Sequence, residues 1–527
     1  MPGSEASLLK RSGDSLVISL ILLLPYFVQL LSSTYYIPGP DESFQIQGSV
    51  QMLLHKGYAS ATGTIPTDLS QVQLKWITGW PIAYSFVLFL LQKLGFGALV
   101  AAKFFQLGCV VLGAGGWFLV LDRLGQSKTF RCIFLFLLWA QFFSWGIYST
   151  NAVSWALFPF LIYFFLLSQA DSAALWGAGA VAALMVLFRF QNVILISTGA
   201  AVLLIQAGKP FMRRIRSAII FSLIPSFCFF GIYFSNVAKS GQGTFLATIP
   251  VDITWHFRWV TDFTNAFLFN ASFRFDEFLR AFFEKVHFPF LFTPIKYALS
   301  FVGVTFLGII CWRNRARCDR DRRTIELIFV FQLLFLVLML FGLAVVLNVE
   351  NIPNGRYYHS LFPVFVLLCL WPLRSSPYLH WLRSPRNKAA LLSALFLFSF
   401  GTVSYYSFYR FRLSQAFDQR AAAMEHELET AMASAPGLPT VVFADQLFPR
   451  LGLRKDLTAL YELGAAAKQG LRASGPVLLF LSSDERNPKS QFPVLVKEIE
   501  SLSAKYGMKL RKEDGHTFAW NVFPAGI

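Results

Sequence analysis

Apolar runs long enough to cross a bilayer recur from Val17 to Tyr406, and short clusters of lysine and arginine separate them. A hydrocarbon core about 30 Å thick needs roughly 20 apolar residues of helix. Inside lipid every backbone donor and acceptor must find its partner within the protein, so segments of this length fold as helices. Composition agrees, with 55% of 527 residues hydrophobic and only 14% charged, which no soluble chain of this length matches. The expected fold is an all-α polytopic membrane protein of about eleven transmembrane segments.

The spans expected are Ser15–Ser33, Leu99–Leu121, Phe130–Tyr148, Val153–Ser168, Ala173–Gln206, Ala218–Ser235, Lys296–Trp312, Thr324–Leu347, Ser360–Leu373 and Ala389–Tyr406. Gly79–Leu94 is a further apolar stretch, only marginally long enough to cross. The first run follows Lys10-Arg11 as a signal peptide would, but it is long and lacks a small-residue cleavage site. It therefore reads as a retained span.

A formal net charge of +17 raises nucleic acid as a partner. The basic residues gather between apolar runs and form no broad patch, which is the signature of cytoplasmic loops and excludes that reading. Counting Gly79–Leu94 as a full span would leave Arg123, Lys128 and Arg131 outside. If the stretch is interfacial or re-entrant instead, those residues fall inside, and Ala173–Gln206 must be two short spans broken near Arg189-Phe190-Gln191-Asn192. A lone charge at mid-membrane is costly, so the polar quartet favours the break. The clusters Lys209–Arg216, Arg313–Arg323 and Arg374–Lys388 then all face the cytoplasm. Residues 34–78, 236–295 and 348–359 and the tail from Ser407 lie outside.

The tail has a different character. Gln415–Ala433 reads as a charged helix, Thr440–Phe443 and Val477–Leu481 as strands, and Leu457–Leu471 and Val494–Tyr506 as helices. Residues 407–527 are thus expected to form a small C-terminal α/β extracytoplasmic domain, behind a transmembrane domain of residues 1–406.

The sharpest chemical signal is Pro38-Gly39-Pro40-Asp41-Glu42-Ser43-Phe44-Gln45, on the outer face just after the first span. One carboxylate can take a proton from an acceptor hydroxyl while the other orients substrate or a cation. The alternative is a solvated loop in which Asp41 caps a helix beginning near Ser43.

Pro-Asp-Glu-x-Phe-Gln at this place resembles the His-Pro-Asp-Glu-x-Phe/Trp-Gln signature of the Alg9-like and GPI mannosyltransferases, members of the GT-C superfamily; Gly39 stands where that family has histidine. Gln51, His55, Gly57 and Tyr58, then Trp76, Trp80 and Pro81, also resemble the family's amphipathic segment and the Trp- and Pro-containing stretch after it. Before the tenth span, Glu350, Arg356, Tyr357, Tyr358 and Pro363 resemble the family's His-Lys-Glu-x-Arg-Phe segment without its His-Lys pair. Arg356 carries over as a ligand for the donor phosphate, its alternative being an anchor to lipid headgroups beside Tyr357 and Tyr358.

Arg189 stands where the family has a comparable basic residue; otherwise it is an arginine snorkelling from its span. Asn151 falls at the outer end of the third span, where a helix cap is the simpler role. Trp255, His256, Arg258, Trp259 and Asp262, with Arg274, Asp276, Glu277 and Arg280, read as interfacial helices. His256, His287 and His359 show no zinc-like pairing, and no P-loop or catalytic Ser-His pattern occurs. The six cysteines form no CxxC or disulfide framework.

The resemblance implies an enzyme moving a sugar, mannose or another hexose, from a polyprenyl-phosphate donor to a lipid-linked or glycan acceptor on the non-cytoplasmic face, with inversion. Asp41 and Glu42 are the catalytic pair, Arg356 and Arg189 the phosphate ligands, and Gln45, His55, Trp80, Asn151 and Tyr357 acceptor or supporting residues. No metal ligand is assigned and a divalent cation is optional. The partners implied are the polyprenyl-phosphate sugar, the acceptor and membrane lipids, with no nucleic acid. The eukaryotic relatives lack such a tail, which favours a bacterial inner membrane over the endoplasmic reticulum despite an Asn270-Ala271-Ser272 sequon. A transporter or flippase of lipid-linked sugars is the rival, but it needs a polar path through the spans, whereas the charges cluster on one face.

Overall fold

The computed structural model describes residues 40–60, 74–127, 149–205, 210–244, 320–343, 358–370, 436–444, 478–482 and 519–522, with scattered positions in 130–138, 283–298, 384–433 and 454–460. The expected spans Ser15–Ser33, Lys296–Trp312 and Ala389–Tyr406 and most of Phe130–Tyr148 lie outside the described residues, as do Asn270, His256 and His287. The chain divides into two compact units, one of residues 1–32, 106–235 and 244–407, the other of residues 33–105, 236–243 and 408–527.

Nine helices of ten or more residues occur among the described residues: α1 (Pro40–Leu53), α2 (Ala83–Lys93), α3 (Ala98–Arg123), α4 (Ser149–Leu167), α5 (Ala174–Phe188), α6 (Ile194–Ile205), α7 (Phe211–Ser240), α8 (Arg320–Phe341) and α9 (Leu361–Leu370). Four of these are long and apolar enough to cross a membrane: α3, α4, α7 and α8. Helix α7 begins at Phe211, so Arg213, Arg214 and Arg216 lie in its first turns instead of in a preceding loop. Arg320–Arg323 likewise open α8.

Helix α2 has 11 residues, about 16 Å at 1.5 Å per residue, too short to cross the core. It fills the stretch Gly79–Leu94 whose crossing the arginine count disfavours.

In the first unit α4 packs on α5, α6 on α8, and α8 on α9. The run Ala173–Gln206 is broken as its polar quartet predicts. Arg189 takes an extended backbone (φ −155°, ψ 123°), and a short 3-10 turn, Phe190–Val193, leads into α6. The chain reverses there. As one straight rod, Gly179 and Gly199 would stand about 30 Å apart, yet both meet one residue of α7. A β-carbon on Gly179 would lie 2.8 Å from the Phe221 carbonyl oxygen, and one on Gly199 would overlap the Phe221 ring. Small residues at such crossings let helices approach closely where no hydrophobic effect drives them together.

Two side-chain hydrogen bonds tie helices of this bundle together. Thr198 Oγ1 donates to Gln332 Oε1 at 2.8 Å, linking α6 to α8. Gln169 Nε2 donates to Thr324 Oγ1 at 2.9 Å, linking the end of α4 to the start of α8.

In the second unit α1 packs on α2, and a two-residue ladder pairs β1 (Ala59–Ser60) antiparallel with β2 (Lys75–Trp76). The tail carries a four-stranded sheet of β3 (Thr440–Ala444), β4 (Thr458–Leu460), β5 (Leu478–Ser482) and β6 (Ala519–Val522), in the order β4-β3-β5-β6. The first three strands are parallel and β6 is antiparallel to β5. The two strands expected are β3 and β5. Thr458–Leu460, expected to begin a helix, is instead a strand, because pairing in register with Val441–Phe443 outweighs the weak helical preference of Thr-Ala-Leu.

Candidate functional site

Helix α1 starts at Pro40, where a fixed φ and a missing N–H suit the first turn. Asp41 is therefore inside that turn and is not the cap of a helix starting near Ser43; its side chain lies outside the described part. Consecutive helical residues are about 100° apart, so Asp41 and Glu42 occupy different faces. Glu42 is only 3% exposed, and its Oε1 accepts a 2.6 Å hydrogen bond from the Tyr84 hydroxyl on α2. The contact is at the short end of the range for an O–H···O hydrogen bond.

That bond heads a ladder between the two helices. Ser85 Oγ donates to the Gln45 carbonyl oxygen at 2.6 Å, and Gln92 Nε2 donates to Ser49 Oγ at 2.6 Å. The α2 residues Tyr84, Ser85, Leu88 and Gln92 are buried at helical spacing and face α1. The Tyr84 ring meets Phe105 edge-on at 5.0 Å.

Aromatic groups close the other side. Phe44 stacks on Trp80 with centroids 5.5 Å apart and planes 18° apart, and the Tyr58 hydroxyl donates to the Trp80 carbonyl oxygen at 3.0 Å. Burial pushes the Tyr58 phenol above its ordinary value, an effect that a hydrogen bond with Ser85 partly offsets, so the group stays neutral and able to donate. Trp76 Nε1 donates to Asn236 Oδ1 at 2.9 Å, fixing β2 to the last turns of α7. Gln45 and Trp80 thus belong with Glu42. His55 does not; it is exposed and ends α1 in the left-handed region at φ 59°.

A second cluster forms at the chain reversal. Arg189 Nε donates to Gln191 Oε1 at 2.8 Å, and Arg189 Nη1 donates to Asn151 Oδ1. Helix α4 begins at Ser149, so Asn151 sits within its first turn and holds an arginine side chain instead of capping the helix. Asn192 Nδ2 donates to Ser154 Oγ at 2.8 Å and to the Met185 carbonyl oxygen at 2.7 Å, which holds the turn to both α4 and α5.

Val193, the last residue of the turn, and Ile194 after it pack with Tyr358, Leu361 and Phe362 and with Leu336 and Leu340 of α8. Tyr358, two residues beyond Arg356 in the sequence, thus packs beside the turn bearing Arg189. Arg356 and Tyr357 themselves lie outside the described residues.

Three contributors escaped the sequence reading. Ser154 was legible as the residue three beyond Asn151, hence on the same face. Tyr84 was legible in the polar stripe Tyr84, Ser85, Gln92 within an apolar stretch. Asn236 carried no local signal, because its partner is 160 residues away.

The whole architecture matches solved structures of one fold. ArnT from Cupriavidus metallidurans, in the apo state, overlaps 97% of this chain and 98% of its own length at 13% identity with a TM-score of 0.54. The same protein bound to undecaprenyl phosphate gives a TM-score of 0.52. The archaeal oligosaccharyltransferase AglB from Archaeoglobus fulgidus, in complex with an inhibitory peptide and a dolichol-phosphate, overlaps 97% of this chain and 74% of its own at 13% identity and a TM-score of 0.52. No protein-family model and no curated protein sequence matches the chain. The fold is that of the GT-C membrane proteins, and the chain is a polytopic integral membrane protein of that architecture.

Proposed function

We propose that the chain is a GT-C glycosyltransferase that moves a hexose, mannose being the first to test, from a polyprenyl-phosphate donor to a lipid-linked or glycan acceptor on the non-cytoplasmic face. The observation that carries the reading is the buried Glu42 carboxylate, held by Tyr84 in the opening turn of α1 beside Asp41. Burying a carboxylate is costly, and a structural role alone gives no reason to set a second one next to it. The fold supports the same class, since ArnT has been solved with undecaprenyl phosphate and AglB with a dolichol-phosphate.

In this mechanism Asp41 takes the proton from the acceptor hydroxyl as that oxygen attacks the anomeric carbon, while Glu42 orients the acceptor. The carbon–oxygen bond to the lipid phosphate breaks, and the leaving phosphate carries away the electron pair. Arg189 and Arg356 neutralise the charge growing on it, as preorganised donors do where charge develops. Residues 407–527 form a C-terminal extracytoplasmic domain, and the bacterial inner membrane is the proposed location.

The test is transfer by the purified full chain from a polyprenyl-phosphate hexose. Asp41→Asn should lose about a hundred- to ten-thousand-fold in rate while still inserting and binding donor, because the amide keeps shape and removes basicity. Full activity in that variant removes Asp41 from catalysis, and an inert wild-type chain across several hexose donors removes the reading.

A further inference from the structure

We infer that Tyr84 is the positioning residue for Glu42 and that α2, a helix too short to span, serves to present it. This rests on the proposed transfer reaction for its purpose and on the geometry for its substance. Tyr84 is fully buried, with its ring fixed edge-on against Phe105 at 5.0 Å and its hydroxyl 2.6 Å from Glu42 Oε1. A phenol can satisfy its single donor in many ways, yet here the flanking ladder leaves it one register. Ser85 binds the Gln45 carbonyl oxygen one residue along α2, and Gln92 binds Ser49 two turns further on. Two bonds below the first fix the rotation and height of α2 against α1, and so fix where the hydroxyl meets the carboxylate.

The donor is also suited to its task. A tyrosine hydroxyl holds the carboxyl oxygen by donating one hydrogen bond and brings no formal charge of its own. Glu42 is thereby held in place, as a group that must orient an acceptor hydroxyl has to be, since positioning errors near 1 Å are costly. A purely structural tyrosine would need only the ring against Phe105; the phenylalanine variant keeps that contact and deletes one oxygen.

The experiment compares Tyr84→Phe, Glu42→Gln and the double variant of the full chain, purified in detergent or nanodiscs. With the polyprenyl-phosphate hexose as substrate, Tyr84→Phe should lower kcat about tenfold to a hundredfold with KM for the donor little changed. The double variant should be no slower than Glu42→Gln alone, because the phenol acts only through that carboxylate. A Tyr84→Phe chain with wild-type kcat, or a double variant whose losses multiply, overturns the inference. Thermal unfolding of the same four proteins gives a second cycle that needs no turnover. If the wild-type chain transfers nothing, the reaction reading fails, while coupling between positions 42 and 84 in unfolding still supports the positioning and its absence refutes it.

Discussion

The acidic and basic clusters hold charged side chains by opposite means. Glu42 sits on an unbroken helix, and the ladder from α2 reaches across to hold it. Arg189 sits where a helix ends, in extended backbone, with Asn151 and Gln191 taking its donors. In the first case side-chain order depends on two helices keeping register. In the second it depends on a break in the backbone, which side chains from α4 and the turn itself support. A phenol donates to the carboxyl group of Glu42, and two amide oxygens accept from the guanidinium of Arg189. Direct hydrogen bonds from neutral groups fix geometry, and that is what a reacting site needs most.

This contrast can be broken by substitution. Arg189→Ala should reduce turnover about a hundredfold, the loss typical of removing one group that stabilises transition-state charge. Lysine should recover only part of it, having no planar fork to engage Asn151 and Gln191 together. Equal activity of the arginine and alanine chains in a steady-state transfer assay would reduce the turn to a structural device. Asn192→Ala tests the turn itself, since Nδ2 spans from Ser154 on α4 to the Met185 carbonyl at the end of α5. Its removal should destabilise the chain by about 1–3 kcal/mol by leaving buried acceptors unmet. A thermal midpoint equal to wild type would show that the turn holds without it. The smallest effect belongs to the ladder. Ser85→Ala removes one of three bonds between α1 and α2 and should cost about 1 kcal/mol, read as a small shift in midpoint. A drop comparable to that of Asn192→Ala would mean that the ladder is as fragile as the turn.

Much of the bundle was legible because its signals are local. The quartet Arg189-Phe190-Gln191-Asn192 marks the reversal, since charge and amides within an apolar run are expensive to leave in lipid. The shortness of Gly79–Leu94 likewise foretells a helix that does not cross. What escaped is long-range. Nothing near Asn151 announces that a side chain 38 residues on will use its amide oxygen, so a cap was the natural expectation. Leu457–Leu471 misled for the same reason, because its first residues join a sheet whose other members are distant in sequence. At the candidate site, Asp-Glu after Pro40 stood out as a candidate pair, while the polar stripe bearing Tyr84 named no partner until the two helices were set side by side.

The reversal at Arg189 also makes a lever. Gly179 and Gly199 grip Phe221 on either arm of the α5–α6 hairpin, each ten residues from the arginine, or about 15 Å along its helix. A pivot at that grip turns small rotations into displacement at the tip: tilting the hairpin by about 5° swings Arg189 through roughly 1 Å, the order of error that costs an enzyme about a hundredfold in rate. Side chains buried at that grip, away from the turn, thereby set where the guanidinium of Arg189 lies.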